Sequence, residues 1–124
     1  MRPLVLLVDD DVPTARVLAR LLEDDGYEVD IAADGGAAIR RLMRDPIPDA
    51  IITDMTMPGA DGIAVTRYAR SRRAGIPVFV VSGSPFLVTR AAQSIEPPPI
   101  VVTKPLHYDT FSEQLRGALS GARA

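Results

Sequence analysis

The chain has 124 residues, with 14 Lys+Arg against 16 Asp+Glu for a formal net charge of −2, and it contains 11 Pro, 9 Gly and no Cys. That length suits one compact domain and excludes a two-domain enzyme, while 47% hydrophobic against 24% charged residues supplies apolar material for one core. The lack of cysteine removes disulfides, thiolate nucleophiles and Cys-ligated metals, and the near-neutral charge speaks against an autonomous nucleic-acid binder.

Short apolar runs alternate with amphipathic segments. Leu4 to Val8 is continuously apolar and rich in branched residues, as expected of a strand buried on both faces, and it ends at Asp9-Asp10-Asp11. The three aspartates also end any likeness of Met1-Arg2 and the apolar run to a signal peptide, and no run nears the roughly 20 residues of a membrane span. No membrane association and a cytoplasmic location are therefore expected. From Pro13 to Asp25 the residues Ala15, Val17, Leu18, Leu21 and Leu22 recur at helical spacing, with Pro13 in the first turn and Gly26 as the stop. Tyr27 to Ala32 predicts a second strand. Gly35-Gly36 opens a helix with Ala37, Ala38, Ile39, Leu42 and Met43 as its inner stripe, closed by Pro46 and Pro48.

Ala50 to Thr53 predicts a third strand ending at Asp54, and Met55 to Gly62, with Pro58, Gly59 and Gly62, is loop chemistry. A helix from Ile63 to about Arg73 follows, with Arg67, Arg70, Arg72 and Arg73 expected to form a solvated basic face. Pro77 to Val81 predicts the fourth strand, before Ser82-Gly83. A weak helix from about Phe86 to Ser94 stops at Glu96-Pro97-Pro98-Pro99. Ile100 to Thr103 is the fifth strand, before Lys104-Pro105, and Tyr108 to Leu119 the last helix. Five strands alternating with five helices imply an α/β fold, with a mostly parallel sheet covered on both faces.

In such sheets ligands bind beyond the carboxyl ends of the strands. Those ends deliver Asp9, Asp10 and Asp11 from the first strand, Asp54 from the third, Ser82 from the fourth and Lys104 from the fifth. Asp11 is expected to cap the next helix, with Asp10 the alternative. Asp9, Asp10 and Asp54 brought together would repel one another by several kcal/mol without a cation among them. Hard oxygen donors in a partly open cluster suit Mg²⁺, which shares its coordination with waters and phosphate oxygens. A divalent cation, a lysine and a hydroxyl around one carboxylate form a site suited to neutralise a phosphoryl group in transfer.

Leu7-Val8-Asp9-Asp10-Asp11, Asp54 through Gly62, Val81-Ser82-Gly83 and Lys104-Pro105 resemble the motifs of response-regulator receiver domains of two-component signalling. Gly26-Tyr27-Glu28-Val29 and Ala33-Asp34-Gly35 resemble that family's second strand and following loop, so the likeness runs from about Leu4 to Leu119. The resemblance implies a three-layer, flavodoxin-like (βα)5 fold with strand order 2-1-3-4-5. It implies a single receiver over residues 1–124 without an output domain, bacterial, and not an enzyme beyond its own phosphorylation and dephosphorylation. By resemblance Asp54 accepts a phosphoryl group from a histidine kinase or histidine phosphotransfer protein. Asp10, Asp54 and the Thr56 carbonyl bind Mg²⁺, with Asp9 acting through water. Lys104 and Ser82 contact the phosphoryl group, and Thr56 and Ser84 tune its lifetime. Phosphorylation then changes binding to a downstream protein, and a homodimer is allowed.

Two departures from the family pattern stand out. Val101 occupies the switch position where the family usually has Tyr or Phe, and the Pro97-Pro98-Pro99 run predicts a short or displaced fourth helix, with output through another surface. Two other readings are a degenerate receiver that only binds proteins and a small phosphatase of the haloacid-dehalogenase type with Asp9 as nucleophile and Asp11 as acid. A flavodoxin-like FMN binder is disfavoured, because Asp9-Asp10-Asp11 would repel the phosphate. His107 is expected to be an exposed helix start, and Phe86, Tyr108 and Phe111 packing residues rather than a platform for bases.

Overall fold

A computed structural model describes residues 2–55 and 61–123. The elements alternate as β1 (Leu4–Val8), α1 (Val12–Asp24), β2 (Glu28–Ala32), α2 (Gly35–Leu42), β3 (Ala50–Asp54), α3 (Gly62–Arg72), β4 (Val78–Ser82), α4 (Pro85–Ser94), β5 (Ile100–Thr103) and α5 (Tyr108–Arg123). All pairings are parallel and the strand order is β2-β1-β3-β4-β5. This is the expected (βα)5 architecture.

Alternation along each strand divides the core into two layers. Leu6, Val8, Ile51, Val78 and Val80 pack against Ala38 and Leu42 of α2, Val65 and Ala69 of α3, and Ala91 of α4. Val5, Leu7, Ile52, Phe79 and Val81 face the opposite way, onto Ala15, Ala19 and Leu22 of α1 and Phe111, Leu115 and Leu119 of α5. Successive strand side chains point to opposite faces, so an unbroken apolar run is what a sheet covered on both sides requires. Phe79 and Phe111 meet edge to face with centroids 5.2 Å apart, a geometry worth about 1 kcal/mol beyond the area buried.

Caps fix where the helices begin and end. Asp11 caps α1, accepting from the N–H of Thr14 at 3.3 Å and from its hydroxyl at 2.7 Å. Asp34, Asp61 and Ser84 cap α2, α3 and α4 in the same way. Gly26, at φ 97°, supplies the left-handed residue that ends α1, as its position predicts. Helix α5 continues past Leu119, since nothing from Ser120 to Arg123 forbids it.

Several expectations are corrected. Helix α4 is ten residues long, capped by Ser84 and packed on β4 and β5, with Ala91 and Ile95 buried. The proline run ends α4 without shortening it much below α3 or displacing it. The α3 arginines do more than form a solvated face: Arg67 and Arg72 are exposed, as expected, and Arg70 and Arg73 half-buried, yet Arg67 donates to Ser94 O, Arg70 to Ile76 O and Pro97 O, Arg72 to Leu42 O and Arg73 to Pro48 O. They stitch together the loops that precede the strands. Met43 is exposed rather than part of the α2 stripe, while Arg41 is buried, binding Asp30 and the carbonyls of Arg44 and Pro46. In α1, Val17 and Leu21 are exposed at 64% and 40%, because Ala19 takes the inward position between Ala15 and Leu22. Phe86 is 73% exposed rather than a packing residue of the core, whereas Phe111 is buried as expected.

Candidate functional site

The ends of β1, β3, β4 and β5 bring the predicted residues to one rim of the sheet. Asp9, Asp10 and Asp54 each present a carboxylate oxygen, all within 4.8 Å of one another. Lys104 Nζ lies 3.7 Å from Asp54 Oδ1, with the Asp54 side chain 17% and the lysine 47% exposed. The N–H of Met55 donates to the same Oδ1 at 2.8 Å. Asp9 is half-buried and accepts the Asp11 N–H at 2.9 Å. Burial holds the Asp9 carboxyl above its ordinary range, with repulsion from Asp54 and Asp10 adding to this and the Asp11 N–H and Lys104 opposing it. The donor set therefore fits a hard divalent cation: three carboxylates, one of them already resisting ionisation, face a single lysine among the described residues.

Ser82 is buried at the end of β4, and its hydroxyl accepts the Ser84 N–H at 3.1 Å. Ser84 in turn accepts the Leu87 N–H at 3.3 Å as the α4 cap. Val101 pairs with Val80 in the β4–β5 ladder and is half-buried. Thr56, expected to add a carbonyl and a tuning side chain, lies outside the described residues. His107 is exposed just before α5, as expected.

Two contributors escaped the sequence reading. A Cβ on Gly62 would sit 2.7 Å from Asp54 O and 3.2 Å from Met55 Cα, so only glycine lets α3 start against the end of β3. The second is a groove of about 800 Å³ that runs from Asp9, Asp54 and Lys104 between Val17 and Leu21 of α1 and Leu106 and Tyr108. Tyr108 ties its walls together, donating from its hydroxyl to Leu21 O at 3.1 Å and Asp25 Oδ2 at 2.6 Å. The Asp61-Gly62 pair before an apolar run signals a capped helix start, but the approach to Asp54 is visible only in space.

A doubly wound parallel sheet with a carboxylate cluster and a lysine at its carboxyl rim defines the class. Residues 5–115 match the response regulator receiver domain family. The chain belongs to that family, and so is a receiver domain of the two-component response-regulator type. It is 38% identical over 88 residues to the response regulator MprA of Mycobacterium leprae (strain TN), a match covering 71% of this chain and 38% of that protein. The chain thus spans well under half the length of the curated relatives it matches. Among solved structures it is similar to a response regulator receiver domain protein from Clostridium thermocellum, with TM-score 0.89, 24% identity and coverage of 98% and 97% of the two chains. The receiver domain of the hybrid histidine kinase CckA gives TM-score 0.75 at 32% identity, covering 94% of this chain and 98% of that one. Among the described residues no helix is long and apolar enough to cross a membrane.

Proposed function

We propose that the chain is a phosphoacceptor that takes a phosphoryl group onto Asp54 from a phosphohistidine of a histidine kinase or histidine phosphotransfer protein. The observation that carries this reading is the half-buried Asp54 flanked by Asp9, Asp10 and, at 3.7 Å, Lys104. A carboxylate oxygen of Asp54 bonds to phosphorus as the P–N bond breaks and its electron pair returns to the donor imidazole. Both described contacts of the carboxylate fall on Oδ1, which leaves Oδ2 the freer to attack. Lys104 neutralises charge on the transferred group, and Ser82 supplies a hydroxyl donor beside it.

Asp10 and Asp54 would hold Mg²⁺ directly, with the Thr56 carbonyl a further ligand and Asp9 acting through water. When bound, Mg²⁺ supplies the charge neutralisation that lets an anionic donor approach three carboxylates. The groove beside α1 gives the phosphodonor an apolar seat that opens onto Asp54. Beyond forming and hydrolysing its own acyl phosphate the chain has no catalytic activity, with Thr56 and Ser84 setting the lifetime. The output is a change in binding to a downstream protein. With α4 in place on the sheet, only Val101 departs from the family's usual relay.

The phosphatase reading places Asp11 as general acid, but its carboxylate is engaged with both donors of Thr14. Acetyl phosphate labelling in Mg²⁺ tests the proposal. Incorporation is expected in the wild type and in Asp11→Asn and to vanish in Asp54→Asn; label surviving in Asp54→Asn would refute it.

A further inference from the structure

We propose that the open edge of β2, together with Arg40 and Arg44 of the α2 segment, is a docking groove for an acidic segment of a partner protein, bound in extended form as an added strand. This reading does not rest on phosphorylation of Asp54.

The first support is the edge itself. Strand β2 ends the sheet, two places from β3. The Glu28 N–H donates to Pro3 O, and Ala32 O accepts the Asp9 N–H. In a parallel ladder alternate residues bond to the neighbouring strand, so Glu28, Asp30 and Ala32 face β1 while Val29 and Ile31 direct their main-chain groups outward. Such an edge is a ready template for another strand. No proline or lysine lies from Glu28 to Ala32, the Asp30 carboxylate is held by Arg41, Glu28 does not line the groove, and Ile31 is 39% exposed.

The second support is charge. Beside the edge lies a cavity of about 310 Å³ lined by Asp30, Ile31, Arg40, Arg41 and Arg44 among others. Arg41 neutralises Asp30 at 2.9 Å and donates from its two terminal nitrogens to the carbonyls of Arg44 and Pro46. Arg40 and Arg44, four residues apart, have no carboxylate within ion-pair distance among the described residues. The wall of the groove is thus locally positive in a chain of net charge −2. A free small anion would engage only the two guanidiniums, leaving Ile31 and the edge unused. An extended peptide with alternating apolar and acidic side chains engages all three features at once.

The test is a ¹⁵N NMR titration of the full chain with the peptide acetyl-Val-Glu-Val-Glu-Val-Glu-amide. The Val29 and Ile31 amides and the Arg40 and Arg44 side-chain N–H signals are expected to shift, and exchange of the two amides to slow. The counterpart acetyl-Val-Lys-Val-Lys-Val-Lys-amide should bind at least tenfold more weakly. So should the Glu peptide to the Arg40→Glu/Arg44→Glu chain, with the milder Arg40→Gln/Arg44→Gln pair as a second variant if the first loses its native spectrum. Equal response to both peptides, or no shift at millimolar peptide, would overturn the proposal. So would shifts confined to Arg40 and Arg44 that inorganic phosphate reproduces, which would indicate a small-anion site.

Discussion

The Ser82 hydroxyl accepts the N–H of Ser84 at 3.1 Å, so the residue at the end of β4 holds the residue that caps α4. A Ser82 hydroxyl that turned to donate to a phosphoryl group on Asp54 would leave that contact and change the strain on the cap. Ser82→Ala is therefore expected to keep the fold and to bind beryllofluoride with Mg²⁺ about tenfold more weakly. That is the loss expected for one hydrogen bond to a charged group, roughly 1.5 kcal/mol or more. Isothermal calorimetry checks this, and unchanged affinity would remove Ser82 from the site.

Three carboxylates within 4.8 Å make the rim electrostatically unfavourable without a cation. Mg²⁺ at one hundred times its Kd should stabilise the chain by about 2.7 kcal/mol. Asp10→Asn should abolish most of that gain and, in EDTA, raise Tm above the wild type because one repulsive charge is gone. Thermal melts in EDTA and in Mg²⁺ at constant ionic strength separate the two effects. A wild-type Tm that ignores Mg²⁺ would contradict the assignment.

Gly62→Ala sets a methyl 2.7 Å from Asp54 O, a main-chain atom that no rotamer change can move aside. Overpacking of this kind costs about 1–3 kcal/mol. The α3 start should withdraw from β3, seen as shifted amide signals at Met55 and Gly62 and as slower labelling of Asp54 by acetyl phosphate. Gly75→Ala, with nothing within 4 Å of the new methyl, is the control for the space a Cβ needs.

Tyr108 is held neutral by burial and by donating to Asp25, which together raise its pKa well above the ordinary tyrosine value of 10. A raised folded-state pKa stabilises the protonated form, so this contribution is fully present below pH 10 and is lost as pH rises beyond it. Tyr108→Phe should cost about 1 kcal/mol at neutral pH through the lost hydrogen bonds. It should also flatten the fall in stability above pH 10, measured by urea unfolding across that range. An identical alkaline slope in the variant would disprove the link.

What the sequence made legible was local in origin. Unbroken apolar runs such as Leu4 to Val8 announced strands covered on both faces, and polar residues just after them were placed on one rim by the sense of a parallel sheet. Asp9, Asp10, Asp54, Ser82 and Lys104 could be found because topology alone decides where strand ends lie. Long or unusually placed side chains were not legible in this way. The destinations of Arg41, Arg70 and Arg72 depend on loops that meet only in three dimensions. Helical spacing could not decide that Ala19 turns inward while Val17 and Leu21 line a groove, nor that Phe86 stays largely exposed. Asp61-Gly62 can announce a helix start, but the closeness of Gly62 to Asp54 is a property of the packed α3 and not of the dipeptide.

The arginine stitching lies at the end of the sheet opposite the carboxylates. Guanidiniums stay protonated and main-chain carbonyls do not titrate, so these hydrogen bonds persist across the pH range in which carboxylates ionise. One pole of the domain is consequently a fixed reference frame. A charge placed on Asp54 bears first on the elements that meet the rim, among them the loop between β4 and α4, where the Ser82 and Ser84 hydroxyls tie the end of the strand to the start of the helix.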